Sequence, residues 1–309
     1  MAVIHDRAAA ANPKISVISF CLNSARYLRE TIESVLKQTY TNYELVVKDG
    51  GSTDGTIDIL KEYPMIRWVS EKEGGDNPIL DAIWQAFYLS RGDYIIYLAV
   101  SDGISDSNWF SRAAAILDKD PEISWVWGIN QAKSEDGHLG KIAWPEYLQN
   151  PPPQKMAWFP FWLATGQGQE TNACFRRTVF EHLFPKNNPA EPYRFFPTLG
   201  FNYRLNSMGY MPYFLPIISF YGYTHSNQRQ EKLYQLLDSV SKRYDHDRTV
   251  YRRNFLSGRI THRFRDGSFG IVKEVTREEL WRYRRKIWEY RLKMKIRREL
   301  QKLLDHVRL

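Results

Sequence analysis

The sequence predicts an α/β chain: a mainly parallel, doubly wound sheet with helices on both faces, followed by a C-terminal helical extension. Three observations predict it. Apolar, β-branched runs alternate with amphipathic helical periods through the first half. Each run stops in a turn rich in Gly, Ser, Thr or Asp. The last segment carries one sustained helical period together with nearly all of the excess positive charge. Alternating strand and helix is the pattern of crossover units, which bury a parallel sheet between two helical layers.

The elements follow in order. Residues 15–21, ISVISFC, have the unbroken apolar composition of a strand buried on both faces. Asn23 or Ser24 can cap the next helix, in which Leu28, Ile32, Val35 and Leu36 recur on one side. The second strand, 44–48, ends in Asp49-Gly50-Gly51-Ser52-Thr53-Asp54-Gly55-Thr56, whose Ser or Thr can cap a helix carrying Ile57 and Leu60. A third strand, 66–69, leads through a Gly-rich loop to a helix with Ile79, Ile83 and Phe87 inside. The fourth, 94–100, stops at Ser101-Asp102-Gly103. Ligands of such sheets sit beyond the carboxyl ends of the strands, which places Asp49 and Asp102 on one rim.

Another strand is expected near 124–128. Residues 145–162 combine Pro with aromatics and read as a long loop or a short surface helix. The stretch 176–209 reads as mostly helical with interruptions, and 213–223 as a short strand. Beyond His225 the chain reads as helical and charged. Thr276 and Glu279 form a capping box for a long last helix, with Leu280, Ile287, Trp288, Leu292, Ile296, Leu300 and Leu304 on one apolar face. The expected division is a tail at 1–14, a domain at 15–226 whose halves meet near 128/129, and a basic extension at 227–309.

Composition narrows the classes. Hydrophobic residues at 43% and charged residues at 25% suit a globular protein. Residues 1–14 lack a signal-peptide pattern and no apolar run reaches membrane-spanning length, so a cytoplasmic protein is expected. Two cysteines, Cys21 and Cys174, argue against a disulfide framework or a thiolate zinc site. The net charge of +8 is local: eleven Lys or Arg against four Glu lie between Arg277 and Lys302. A nucleic-acid partner is therefore not expected. The amphipathic tail instead suits an anionic membrane surface through 276–309, at the inner face of the membrane, or packing on its own domain or on a second subunit.

An Asp at the end of the second strand can bond a base or ribose, and one at the end of the fourth can hold a divalent ion against phosphates. A turn followed by a capped helix accounts for the residues of 49–56 without any ligand, but not for the matching Asp at the next strand end. The stretch NSARYLRETIESVLKQTY, then YELVVKDGGSTDGT, DAIWQAF, GDYIIYL and SDG resembles family 2 glycosyltransferases in order and spacing over residues 15–118, with Asn23, Leu28, Ser34, Gln38 and Tyr40 matching the opening motif. The resemblance implies the GT-A fold, a UDP-, dTDP- or GDP-sugar donor, a glycan or lipid-linked acceptor, inversion at the anomeric carbon, and Mg or Mn.

By the same resemblance Phe20, Asn23 and Asp49 contact the nucleotide, Asp81 lines the donor pocket, and Ser101 and Asp102 face the diphosphate. Asp102 meets the metal, His225 can meet the metal or the diphosphate, and Glu170, before the double Arg of Arg176-Arg177, is the acceptor base or an acceptor-binding carboxylate. The chain departs from the family pattern twice. The second acid of the fourth-strand motif is Gly103, and an Asp-aromatic-Asp motif becomes Thr198-Leu199-Gly200. These losses leave a non-catalytic sugar-nucleotide or glycan-binding scaffold as the alternative.

Overall fold

The computed structural model describes residues 12–72, 74, 77–152, 154, 173–187, 197–207, 210–223, 249–263 and 269–278, with 242, 246 and alternating residues of 280–299. Glu170 and His225 lie outside the described residues.

Nine strands form one sheet in the order β3-β2-β1-β4-β8-β6-β9-β5, with β7 (Leu139–Ile142) beside β6. Its first half is the expected parallel sheet. β1 (Ile15–Cys21) lies between β2 (Tyr43–Asp49) and β4 (Tyr94–Tyr97), and β3 (Arg67–Ser70) closes the edge. Successive side chains in these runs divide between two cores. Val17, Leu45, Val47 and Ile96 meet α1 (Ala25–Leu36), α2 (Thr56–Lys61) and α4 (Trp109–Lys119). Ile18, Val46 and Ile95 meet α3 (Pro78–Leu89), α5 (Arg177–Leu183) and α6 (Pro197–Ser207). The period-two alternation of a strand therefore produces the two helical layers. Each fully buried Leu or Ile contributes about 1.5–3 kcal/mol of transfer free energy.

The second half is mixed. β8 (Cys174–Arg176) runs antiparallel between β4 and β6 (Ile123–Lys133). β9 (Met211–Tyr223) lies parallel to β6 and antiparallel to β5 (Asp102–Ile104). Several local expectations are corrected. The fourth strand stops at Tyr97 rather than at 100, and Asp102 opens a separate strand at the far edge of the sheet. Ile79 faces solvent, at 53% exposure. The double Arg belongs to strand β8 and the start of α5, not to a continuous helix. Arg176 donates to the carbonyls of Leu117, Asp120 and Ile123, and Arg177 to Gly92 O and Ser90 Oγ, so both guanidiniums fasten β8 to neighbouring turns.

Past residue 226, a hairpin of β10 (Arg259–Arg263) and β11 (Phe269–Glu274) replaces part of the expected helix. Tyr251, Phe255 and Val275 are buried in the core beneath α3, α5 and α6. The described residues of 277–299 are helical, as expected, but Trp288, Leu292 and Ile296 are 64%, 42% and 52% exposed. Their expected apolar face is not buried on the domain.

Candidate active site

Two loops at the carboxyl ends of β1 and β2 are laced to one another. Ser52 Oγ accepts from Asn23 N at 2.7 Å, and Asn23 Oδ1 accepts from Thr53 N at 3.0 Å. Thr56 Oγ1 accepts from Ser24 N at 2.9 Å, and Asp54 Oδ2 from Ala25 N at 3.1 Å. Neither Asn23 nor Ser24 caps α1 with its own side chain, contrary to the sequence reading. Asp54 and Thr56 from the other loop satisfy amides there, because Asn23 turns into a left-handed conformation (φ 49°) and aims its side chain away from the helix.

Asp49 lies beneath this lacing with no exposed surface. Its carboxylate accepts from Gly51 N (2.9 Å), Ser52 N (3.0 Å), Ser52 Oγ (2.5 Å) and Ser70 Oγ (2.6 Å). Burial pushes its pKa up, but the hydroxyls of Ser52 and Ser70 and two loop amides outweigh burial and hold it below the ordinary carboxylate value. The side chain organises the loop that would receive a ligand. Asp49→Ala should therefore cost about 3 kcal/mol in urea unfolding, since several donors are left without their acceptor. The parent's contribution from Asp49 is present above the unfolded pKa of about 3.9 and lost as pH falls through the lower folded value. A variant as stable as its parent at neutral pH would contradict this role.

The second cluster forms around Asp102. Thr31 of α1 donates from Oγ1 to Asp102 O at 2.8 Å and accepts from Ser101 N at 3.3 Å. Ser101 sits at φ 102°, a conformation costly for a residue with a Cβ, and its carbonyl accepts from Tyr223 N at 3.2 Å. Strain held by contacts on both sides marks this turn as a constrained one. Across the β5/β9 ladder Asp102 faces Gly222, where a Cβ would stand 2.8 Å from Asp102 Oδ1. The carboxylate thus lies over a bare backbone position. Phe20 stacks on Tyr97 with centroids 5.9 Å apart. Burial first, and the negative charge of Asp102 second, push the Tyr97 phenol up.

Gly103 shows why the second acid is absent. It pairs with Tyr221, and a Cβ at 103 would stand 2.2 Å from both Cζ and Oη of that ring. Tyr221 is held in turn: Lys133 Nζ lies 4.8 Å from its ring centroid, and the Tyr223 ring meets it edge-on with centroids 6.5 Å apart. Lys133 also pairs with Glu30 and lies 4.9 Å from the Tyr223 ring, while Tyr223 Oη donates to Glu30 Oε2 at 2.5 Å.

Among the described residues no three His, Cys, Asp or Glu form a metal cluster. Phe20, Asn23, Asp49, Ser101 and Asp102 are brought to this end of the sheet. Asp81 is not drawn into their hydrogen-bond network: on the first turn of α3 it accepts from Asn187 Nδ2 at 2.9 Å. Sequence reasoning missed Thr31, Tyr97, Tyr221 and Gly222. Their partners lie far along the chain, and Thr31 in particular reads as an ordinary helix residue.

The model of glycosyl transferase family 2 matches residues 16–184. Chondroitin synthase of Escherichia coli is 30% identical over 179 residues, covering 54% of this chain and 25% of the synthase. A PGL/p-HBAD biosynthesis glycosyltransferase of Mycobacterium bovis is 31% identical over 121 residues, covering 38% of this chain and 47% of that protein. The chain thus spans a quarter of the first of these relatives and about half of the second. The crystal structure of S. aureus TarS 1-349 in complex with UDP-GlcNAc superposes with a TM-score of 0.52 at 18% identity, covering 74% of this chain and 66% of that one. This likeness is one of fold, and it is the GT-A fold.

Proposed function

Because the chain belongs to glycosyl transferase family 2, we propose that it transfers a sugar, with inversion, from a UDP-, dTDP- or GDP-sugar to a glycan or lipid-linked acceptor in polysaccharide or glycoconjugate synthesis. The observation that carries this reading is the convergence at one end of the sheet: laced loops ordered by Asp49 stand at the ends of β1 and β2, and Asp102 lies over Gly222. The chondroitin synthase and the PGL/p-HBAD biosynthesis glycosyltransferase among the curated relatives support a transfer of this class, and the TarS fold is one that has been solved with UDP-GlcNAc.

In this reading the loops of Asn23 and Asp49 receive the nucleotide beside Phe20, Asp81 lines the sugar side, and Ser101 and Asp102 face the diphosphate. Asp102 and His225 would hold a Mg or Mn ion, which when bound would supply positive charge against the leaving diphosphate. Glu170 takes the proton of the acceptor hydroxyl as that oxygen attacks the anomeric carbon opposite the diphosphate. The bond to the diphosphate breaks through a transition state of oxocarbenium character. The Asp-aromatic-Asp position, 198–200, falls in the first turn of α6 with no carboxylate, and in this reading Glu170 takes that role instead.

The test is product formation from a panel of the three nucleotide-sugar classes, with the anomeric configuration of the product read by NMR. Glu170→Gln should lower kcat about a hundredfold while donor affinity stays unchanged. Normal turnover by this variant would remove Glu170 from the role. Nucleotide binding without product for any acceptor would support the scaffold reading, in which the site holds a sugar nucleotide and does no chemistry.

A further inference from the structure

The helix of the last segment presents a face that the domain does not cover. At its start Leu280 packs against the core and Arg284 Nη2 donates to Leu256 O at 3.3 Å. Beyond this, Trp281, Trp288, Leu292 and Ile296 are 62%, 64%, 42% and 52% exposed. At 3.6 residues per turn these four fall within roughly 80° of one another. They form one stripe. Arg284, Arg291 and Lys295 are all exposed and repeat the same seven and four spacing along one flank of that stripe. Arg285 falls within the arc of the stripe, where it lies 5.9 Å from the Trp281 ring and pairs with Glu289 at 2.9 Å.

We propose that this face docks on an anionic lipid surface. An exposed aromatic and aliphatic stripe bordered by a row of cations matches a bilayer boundary: acyl chains accept the stripe while headgroup phosphates meet the flank. Two indoles suit such a boundary because each ring has an apolar body and a polar N–H. The surplus of seven positive charges between Arg277 and Lys302 supplies the long-range attraction. A nucleic acid would engage the cations and leave the stripe without a role. A second copy on the same face would present its own arginine row to an identical flank. The inference rests on this helix alone and is independent of the reaction proposed above.

The full chain should co-sediment with phosphatidylcholine vesicles containing roughly a third phosphatidylglycerol, weakly with phosphatidylcholine alone, and less as salt is raised. The Trp288→Ala/Leu292→Ala variant should bind about tenfold more weakly through lost apolar contact. An Arg284→Gln/Arg291→Gln/Lys295→Gln variant should bind roughly a hundredfold more weakly. All five side chains are exposed, and the bond to the domain from Arg284 to Leu256 O is a surface one, so thermal melting close to the parent's separates lost docking from lost folding. Absence of binding to anionic vesicles, or binding unaltered in both variants, would overturn the proposal. So would light scattering that shows a dimer broken by Trp288→Ala/Leu292→Ala without vesicle binding. Capture of an RNA oligonucleotide in place of vesicles would equally assign the face to another partner.

Discussion

Asp102→Ala is expected to abolish the manganese-dependent part of nucleotide binding and to lower turnover about a thousandfold. The side chain is the carboxylate at the rim that the fold places over a bare backbone, at Gly222, where no Cβ competes for the space. Its backbone bonds, from its N to Ala99 O at 3.0 Å and from Thr31 Oγ1 to its carbonyl, do not need the carboxylate. The loss should therefore be functional, with the melting temperature close to that of the parent. Calorimetric titration of both proteins with UDP, dTDP and GDP, each with and without manganese, reads the effect. One nucleotide should bind the parent more tightly with metal, and that gain should vanish in the variant. A variant that retains the gain would place the metal on other residues.

Gly103→Asp, which would restore the family's second acid, should instead destabilise the protein by about 3 kcal/mol. A Cβ at 103 would overlap the Tyr221 ring at 2.2 Å, and that ring is flanked by Lys133 over its face and by the Tyr223 ring. The added carboxylate would also meet the negative charge of Asp102 and Glu30 without a new partner. Urea unfolding measures the loss. A Tyr221→Ala change in the same background should recover part of it, since the overlapping ring is gone; the double variant should then be more stable than independent losses predict. A single Gly103→Asp protein as stable as its parent, with tighter manganese binding, would show that Tyr221 does not fill the second acid's space.

These two predictions separate what could be read from the chain from what could not. The strands and helices up to residue 97 were legible because their signals are local, whereas β5 and α4 were not anticipated from the sequence. Runs such as 15–21 and 44–48 carry enough branched apolar side chains to demand burial on both faces, and α1 and α3 show the helical period. The GT-A fold and the family followed from motifs inside that same stretch. The place of Asp49 at a strand end was legible too. Its engagement by Ser52 and Ser70 was not, because the Ser70 contact depends on how β3 pairs with β2.

The second half was less legible because its pairings are long-range. β8 is three residues long and has no alternation of its own, and it exists as a strand because β4 and β6 flank it. The hairpin at 259–274 interrupts a charged stretch whose composition favours helix. Ile79, read as inward from its spacing, faces solvent because α3 turns Leu80, Ile83 and Phe87 to the core.

The sequence by itself determined the doubly wound parallel half, the acids at its rim and the basic amphipathic character of the last helix, because each is written in residues close together in the chain. The tertiary structure alone decided that Asp102 belongs to a separate edge strand facing Gly222 and that Tyr221 fills the space beside Gly103. It also decided that Trp281 and Trp288 stand outside the core. Those outcomes depend on which surfaces meet across more than a hundred residues, and local periodicity carries no record of such meetings.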